Sequence, residues 1–369
     1  MVKNESDIIE PFVRHNLAFV DHIHVLVHAS ADSTGQILGR MIDEGLALSV
    51  EREGDFVFDK QAIFNAAMQR AIDRYAPEFV VPLDADEFIS ASDKAVFAEE
   101  LARIPAGGGI LVPWVSYVPT EEDDSAQINP LLRIRHLRSG AGREHAKCFF
   151  RAEALAAGAE LADGQHVLRR ADGSSPPQIR SAGVTLAHFP VRSAAQFATK
   201  TMVGWLARRV SENFAAGASS PAWSNQNLPG AERRTPRELR AIAERYQIEK
   251  GSPEIKLVER PLSTQARELK YADLIDVDAL ARVFAQAEAM AGRLGQVSGV
   301  IKQSGLDRDH LNALIGERAQ ALVEVRRLQH ELRRTQEKLS ARNRVMIAAI
   351  LITVAAVTVV ALVALGVLS

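Results

Sequence analysis

Two aspartates separated by one residue are the clearest indication of chemistry in the sequence. They lie in residues 84–88 (DADEF), directly after the apolar run 79–83 (FVVPL). A short apolar run predicts a β-strand, so both carboxylates would project from a strand end. Mg²⁺ and Mn²⁺ bind one or two carboxylates together with water and phosphate oxygens. The spacing therefore predicts a divalent-metal site, able to neutralise a departing diphosphate, although acidic triplets also occur on solvated surfaces.

Strand-like and helix-like segments alternate over the first 300 residues. Strands are predicted at 23–27, 79–83, 109–115, 145–151 and 184–189, and helices at 8–19, 61–75, 93–103 and 193–214. This alternation is typical of an α/β fold with a mostly parallel central sheet. Such sheets bind ligands beyond the carboxyl ends of their strands, where residues 84–88 would lie.

Composition and charge exclude several classes of protein. The chain has 369 residues, 47% of them hydrophobic, which is enough for a buried core without disulfides. Its formal net charge of -2 gives no electrostatic case for binding nucleic acid. Cys148 is the single cysteine, so neither a disulfide within the chain nor a paired-cysteine zinc site is possible.

Several short motifs follow one another in a characteristic order over about residues 1–210. They are residues 3–5 (KNE), 14–15 (RH), 30–34 (SADST), 60–61 (KQ), 65–66 (NA), 84–88 (DADEF), 145–151 (HAKCFFR), 164–166 (GQH) and 188–193 (HFPVRS). The ordered set resembles the family 2-like glycosyltransferases of the GT-A superfamily, in the branch whose metal motif reads D-x-D-E-F. The resemblance implies a GT-A type nucleotide-diphospho-sugar transferase fold over residues 1–300.

The same resemblance implies roles for individual side chains. It implies Asp84, Asp86 and His188 as ligands of Mn²⁺ or Mg²⁺. It also implies that Asp84, Asp86 and Glu87 form the catalytic centre, in which the base is not assigned. The residues that it implies for binding the nucleotide-sugar are Asn4, Glu5, Asp32, Gln61 and Lys147.

Each of these residues also has a purely structural interpretation. Asp32 fits an Asx turn that shapes its own loop, Lys147 fits a solvated cation, and His188 fits a half-buried, hydrogen-bonded histidine. The acidic run at 121–124 is another source for a base, although a charge run is more often a solvated loop.

Two positions depart from the family pattern. Relatives often carry an acidic residue where this chain has His28, so the nucleobase is not assigned. Only Met1 and Val2 precede residues 3–5, where the family has a first strand. We therefore expect this strand to begin upstream of Met1.

The C-terminal part predicts attachment to a membrane. Residues 345–368 are apolar and uncharged, and about 20 such residues span a bilayer as a helix. Lys338, Arg342 and Arg344 precede them, which places the upstream chain in the cytoplasm; the alternative is a buried core helix. Residues 305–341 have apolar positions three and four apart, which fits a coiled-coil stalk that makes a homodimer or a solvated spacer helix.

Taken together, the sequence predicts a metal-dependent, hexosyltransferase-like enzyme held at the cytoplasmic face of a membrane. It would move a sugar from a nucleotide-sugar to an acceptor hydroxyl on a glycan, lipid or protein, as in polysaccharide biosynthesis. Two alternatives stay open. One is a catalytically inactive transferase-fold membrane scaffold, and the other is a different metal-dependent transferase that uses nucleotides.

Overall fold

The structure is a computed structural model that describes residues 1–53, 60–139, 145–156, 158–162, 165–170, 172–212, 233–247 and 255–275, with the backbone alone at 60–62 and 205–212. All of these belong to one unit, Met1–Val297, while a second unit, Ser298–Ser369, lies outside them. The predicted stalk (305–341) and membrane helix (345–368) therefore lie outside the described residues. In the part that is described, no helix has the length and apolar character needed to cross a membrane.

Helices and strands alternate along the chain, as predicted. The helices are α1 (Ile9–Asn16), α2 (Thr34–Asp43), α3 (Lys60–Tyr75), α4 (Lys94–Ala102), α5 (Pro130–Arg133), α6 (Glu153–Ala156), α7 (Ala194–Glu212) and α8 (Pro236–Glu244), with a 3-10 turn at Ala272–Leu274. The strands are β1 (Ile23–His28), β2 (Leu48–Glu53), β3 (Phe79–Val80), β4 (Glu87–Ser90), β5 (Gly109–Val118), β6 (His136–Ser139), β7 (Ala146–Arg151), β8 (Ala159–Leu161), β9 (Leu168–Arg170), β10 (Gln178–Arg180), β11 (Thr185–His188) and β12 (Lys256–Glu259).

Local side-chain signals determine where several helices begin. Asp93 caps α4 by accepting a hydrogen bond from Val96 N at 2.9 Å, and Asn129 caps α5 in the same way. Helix α8 begins with a complete capping box between Thr235 and Glu238. Such caps satisfy backbone N–H groups that have no partner inside the helix.

The main sheet is built around the long strand β5. Its first half pairs with β7 on one edge and with β10 on the other, and its second half pairs with β11 and β6. Strand β11 in turn pairs with β4, β7 with β3, and β6 with β12. Strands β1 and β2 form a separate parallel pair, which Val2 extends through a parallel bridge to Val27. Strands β8 and β9 form a small antiparallel pair.

The α/β class is confirmed, but the expectation of a mostly parallel central sheet is wrong. In the described part of the main sheet, β10 and β11 pair with β5 in parallel, and the other pairings are antiparallel. The reason is that β6 and β7 run one after the other along the same edge of β5, from Val118 back to Gly109. After the short helix α5 the chain thus returns directly, without the crossover that a parallel neighbour requires.

The predicted strand at 79–83 is shorter than expected. Strand β3 ends at Val80. Pro82 has no N–H to donate to a ladder, which is one reason why regular pairing does not continue to Asp84.

Helices cover both faces of the sheet at β3. Phe79 and Val81 pack into a cluster with Phe97 of α4. Val80, which points to the opposite face, packs into a cluster with Met68 of α3. The period of two along the strand therefore separates an α4 side from an α3 side.

The last described segment, residues 255–275, returns to the first two helices. The carboxylate of Glu10 accepts hydrogen bonds from Lys270 N at 2.9 Å and Tyr271 N at 3.0 Å. Glu44 at the end of α2 bonds Arg14 Nη2 at 2.6 Å and Lys270 Nζ at 2.7 Å. These bonds hold residues 270–271 against α1 and α2.

Candidate active site

The turn between β3 and β4, together with the first residue of β4, carries the three predicted catalytic carboxyl groups. Asp84 N donates to Glu87 Oε2 at 2.8 Å, and Glu87 N donates to Asp84 O at 3.1 Å, which closes the turn. Phe189 N donates to Asp86 O at 2.9 Å and ties the turn to the end of β11. The side chain of Asp84 remains 41% exposed, whereas that of Asp86 is 6% exposed.

The ammonium of Lys147, on β7, contacts the carboxyl groups of both Asp84 and Glu87 from the protein interior. The lysine side chain is 1% exposed. Its ammonium donates to Asp84 Oδ2 at 2.7 Å and to Gln165 Oε1 at 2.9 Å, and lies 3.5 Å from Glu87 Oε1. Burial opposes the charge, but Glu87 and Asp84 more than offset this and raise the pKa of Lys147. The solvated interpretation of Lys147 is therefore wrong, and its ammonium is a buried counter-charge.

Glu87 is the most enclosed of the three carboxyl groups. It is 0% exposed, and its Oε1 has no hydrogen-bond partner in the described part of the chain. Burial raises the pKa of Glu87 to about 8, against the opposing effect of Lys147. Its hydrogen bond to Asp84 N makes it a group that positions the turn.

Asp86 lies among nitrogen-bearing side chains from β11, the following loop and α7. Lys200 Nζ is 3.0 Å from Asp86 Oδ2, His188 Nε2 is 3.8 Å from it, and Arg192 Nη1 is 4.0 Å from it. Burial alone would raise the pKa of Asp86, but the nearby ammonium of Lys200 holds it below its usual range. Asp86 is thus a carboxylate that stays ionised inside the protein.

His188 is a neutral imidazole next to this carboxylate. Burial lowers the pKa of His188 to about 3. Its Nδ1 has no hydrogen-bond partner among the described residues, and its ring lies against the indole of Trp114, with centroids 4.4 Å apart. The structural interpretation of His188 as a half-buried, hydrogen-bonded histidine is therefore wrong, because the ring is buried and its Nδ1 has no hydrogen-bond partner among the described residues.

Arg192 connects the N-terminal segment to Asp86. Its Nη2 lies 2.5 Å from Glu5 Oε2, and its Nε lies 2.7 Å from Asp7 Oδ2. Burial raises the pKa of Glu5 to about 7, although Arg192 opposes the shift. Arg192, which is itself 0% exposed at its side chain, therefore joins Glu5 and Asp7 to Asp86.

Asn4 and Asp32 shape the loop that carries Glu5. Asp32 Oδ2 accepts from Ser6 N and its Oδ1 accepts from Thr34 N, so the Asx interpretation describes its observed bonds. Asn4 has a φ of 55° and accepts from Ala31 N through Oδ1 at 2.8 Å. This left-handed backbone conformation is one that Asn tolerates better than most residues.

The predicted residues are brought together to different extents. Glu5, Asp84, Asp86, Glu87, Lys147 and His188 form one contiguous network with Arg192 and Lys200. Asn4 and Asp32 lie next to it through Glu5. Gln61 is in the first turn of α3, but its side chain lies outside the described residues.

Asp86 and His188 are chemically suited to a divalent cation. Mg²⁺ and comparable ions lie about 2 Å from each ligand atom, so oxygen and nitrogen atoms 3.8 Å apart can share one ion. Lys200 contacts the same oxygen, and Lys147 holds Asp84. No three His, Cys, Asp or Glu side chains converge as a ligand set within the described residues. Water and phosphate oxygens would therefore complete the coordination, as is usual for Mg²⁺.

Sequence reasoning missed three members of this network. Arg192 lies inside the quoted motif 188–193 but received no role, and Asp7 and Lys200 were not considered. A local signal existed for Lys200, because it follows the predicted start of a helix at Ser193 by two turns and lies on the same helix face. Its meeting with Asp86, 114 residues away, is a tertiary contact without a local signal.

Comparisons with known proteins do not assign the chain to a family. No family model and no curated protein matches the chain. Among solved structures, the chain is similar to the mannosyltransferase PcManGT from Pyrobaculum calidifontis in complex with GDP-Man and Mn²⁺. The identity is 14%, the match covers 87% of this chain and 78% of that chain, and the TM-score is 0.34. A likeness at this TM-score carries no argument about either fold or function.

Proposed function

We propose that the chain is a glycosyltransferase of the GT-A type, which moves a sugar from a nucleotide-sugar to an acceptor hydroxyl with the help of Mn²⁺ or Mg²⁺. One observation carries the proposal: the ionised Asp86 and the neutral His188 lie 3.8 Å apart in a buried position. The sequence motif DADEF and the other motifs of the resemblance support the same function.

The cations around Asp86 suit an anionic donor. Lys200 and Arg192 lie at one carboxylate, and Lys147 lies at the neighbouring one. Preorganised positive groups stabilise charge that develops on a leaving group, and they act most strongly where water is excluded. In the proposed reaction, Lys200 would move from Asp86 to a phosphate oxygen, while Arg192 and Lys147 hold the carboxylates in place.

The metal would supply Lewis-acid stabilisation of the leaving diphosphate when it is bound. Asp86 and His188 would hold it, and Glu87 would position Asp84 through the bond to Asp84 N. Asn4, Glu5 and Asp32 would form the wall next to the nucleotide, because they belong to one hydrogen-bonded loop.

The acceptor and the cellular location are part of the proposal. The apolar run at 345–368 and the cations before it support a membrane-held enzyme with the catalytic unit in the cytoplasm. A polysaccharide, lipid or protein acceptor at that surface fits this location.

A second candidate is a catalytically inactive transferase-fold scaffold. The ion pairs favour it, because Lys147 and Lys200 already bind the carboxylate oxygens that a metal would use. The two candidates differ in whether these pairs open when a nucleotide binds.

The deciding experiment is a thermal-stability titration of the full chain. UDP, GDP and CDP are each added with Mn²⁺ and, separately, with a chelator, because a ligand of the folded state raises stability by mass action. We expect a metal-dependent rise with one nucleotide, its loss in Asp86→Asn, and its retention in the exposed control Asp73→Asn. A well-folded chain that responds to none of the nucleotides would support the scaffold instead.

A further inference from the structure

An imidazole in the turn between β8 and β9 keeps one ring nitrogen without a partner. His166 Nδ1 lies 2.7 Å from Ala146 O. Because a carbonyl oxygen only accepts, Nδ1 carries the proton of the neutral ring, and Nε2 is left as a bare acceptor. In the described part of the chain Nε2 has no hydrogen-bond partner, and the residue is half-buried. The fold therefore fixes the tautomer that a general base needs.

Strand β7 holds this imidazole close to Asp84. The carbonyl of Ala146 accepts from the ring of His166. The next residue of the strand is Lys147, whose ammonium donates to Gln165 Oε1 at 2.9 Å and to Asp84 Oδ2 at 2.7 Å. Gln165 has a φ of 63°, a left-handed conformation that is uncommon outside Gly and persists where surrounding bonds hold it. One strand thus positions both His166 and Asp84.

The indole of Trp114 lies between this imidazole and the candidate metal position. Its ring centroid is 5.4 Å from that of His166 and 4.4 Å from that of His188. Since Asp86 and His188 are the pair that would hold the ion, His166 is one aromatic ring away from it. The sugar of a donor lies beyond its diphosphate, so a base for the acceptor must be near the ion without being its ligand. His166 meets this condition.

The surroundings of His166 favour the neutral, proton-accepting ring. Burial lowers its pKa, and the nearby ammonium of Lys147 adds to this effect. The hydrogen bond to Ala146 O and the carboxylate of Asp84 oppose the shift without reversing it. The imidazole is therefore mainly neutral near pH 7 and has a lone pair available at Nε2.

The carboxyl groups nearby are less available for the same task. Glu87 is 0% exposed and cannot reach an acceptor. Asp84 and Asp86 each accept from a lysine ammonium. In the acidic run at 121–124, Asp123 uses both oxygens to accept from Thr120, at 3.1 Å from N and 2.9 Å from Oγ1. The unengaged imidazole nitrogen is thus the better candidate for a base.

We propose, on the basis of the proposed glycosyl transfer, that His166 is its general base and that the space at Nε2 binds the acceptor hydroxyl. Nε2 takes the proton of this hydroxyl while the oxygen bonds to the anomeric carbon of the donor. The bond from that carbon to the diphosphate breaks, and its electron pair leaves with the nucleoside diphosphate. The imidazolium then releases its proton to water.

Donor hydrolysis tests this role, because water can take the place of the acceptor hydroxyl. The full chain is incubated with Mn²⁺ and, in turn, with UDP-glucose, UDP-N-acetylglucosamine, GDP-glucose and CDP-glucose, and release of the nucleoside diphosphate is measured. We expect His166→Ala to lower kcat by about 100-fold or more, with the KM for the donor within about two-fold of that of the unmodified chain. The control His22→Ala, at an exposed histidine, should keep both constants.

Two further measurements separate loss of a base from loss of structure. Metal-dependent stabilisation by the nucleotide should be the same in His166→Ala as in the unmodified chain, because the proposed role does not include donor binding. Imidazole added to the solution should restore part of the hydrolysis by His166→Ala and leave His22→Ala unchanged, since it can enter the space that the side chain vacates.

The outcomes distinguish the base from the function on which it depends. An unchanged kcat in His166→Ala would overturn the base and leave the proposed function intact. A lower kcat that imidazole does not restore would assign His166 a structural role, and a loss of nucleotide-dependent stabilisation would assign it to donor binding; both would overturn the base. Absence of hydrolysis by the unmodified chain with every donor would overturn the base together with the proposed function.

Discussion

The ammonium of Lys147 lies 2.7 Å from the carboxylate of Asp84, and 1% of the lysine side chain is exposed. This buried cation is the counter-charge of Asp84, while the enclosed Glu87, whose pKa burial raises to about 8, lies 3.5 Å from it. The pair shows that the acidic motif is part of a charged network that includes β7. It also gives the first prediction.

Replacement of Lys147 by methionine should strongly destabilise the fold. The change keeps the length of the side chain but removes the buried ammonium that donates to Asp84 Oδ2 and Gln165 Oε1, and loss of such a charged hydrogen bond costs about 1.5–3 kcal/mol of unfolding free energy. Urea denaturation of the full chain measures the loss. Lys94→Met is the control, since its bond to Asp21 is exposed and should cost about 1 kcal/mol or less. Equal losses in both variants would contradict the counter-charge role.

Replacement of His188 by alanine should weaken metal-dependent nucleotide binding. The imidazole is the neutral partner of Asp86, so its loss should raise the Mn²⁺ concentration for half-maximal stabilisation by about 10-fold or more. Titration of Mn²⁺ at a fixed nucleotide concentration measures the change. His22→Ala, an exposed histidine bonded to Ser49, is the control and should titrate as the unmodified chain does. An unchanged Mn²⁺ titration in His188→Ala would remove this residue from the metal site.

Glu44 should make stability depend on pH in the acid range. The hydrogen bond from Arg14, with those from Lys270 and Tyr271, lowers the pKa of Glu44 to about 2. In the unfolded chain its pKa is about 4.3, so the unfolded state binds more protons between these values. The stabilisation is therefore complete above about pH 4.3 and is lost as the pH falls toward 2.

Melting temperatures from pH 7 to pH 3 test this point. Glu44→Gln should melt below the unmodified chain at pH 7, and the difference should narrow below about pH 4.3. Asp43→Asn, at the exposed neighbouring position, should show no such change. A difference between Glu44→Gln and the unmodified chain that stays constant with pH would mean that ionisation of Glu44 is not responsible.

Deletion of residues 345–368 should release the protein from membranes. This apolar run is long enough to span a bilayer as a helix. In fractionated cells, the unmodified chain should resist extraction by alkaline carbonate, whereas the deleted chain should be found in the supernatant. Deletion of residues 305–341 instead should leave the membrane fraction unchanged. Extraction of the unmodified chain by carbonate would contradict the anchor.

The sequence predicted single helices and strands better than it predicted which strands pair and in which direction. The helices at 61–75 and 93–103 appear as α3 and α4 with similar bounds, because their periodicity and the cap at Asp93 are local signals. The antiparallel return along β5 was not predicted, because β6 and β7 carry no mark of the edge on which they pair. Strand direction is a property of the assembled sheet.

Only part of the candidate site was predicted, because some of its residues lie in local motifs and others are brought to it by tertiary contacts. Asp84, Asp86, Lys147 and His188 were singled out because each lies in a motif of the resembled family, and the structure brings their side chains into one network. Lys200 and Asp7 lie in segments with no such motif, and only tertiary folding brings them to Asp86 and Arg192. The burial of Lys147 was also missed, since nothing in the sequence marks a lysine as enclosed.

The network around Asp86 has a consequence for synthesis of the protein. Arg192 meets Glu5 across 187 residues of sequence, and Lys200 follows still later. At about 5–20 residues per second, translation needs tens of seconds after Glu5 is made before Lys200 leaves the ribosome. During that time Glu5 and Asp86 lack the contacts with Arg192 and Lys200 that the folded protein gives them. The network around Asp86 therefore closes as a late event of folding on the ribosome, and a chain stalled before residue 200 cannot form its contact with Lys200.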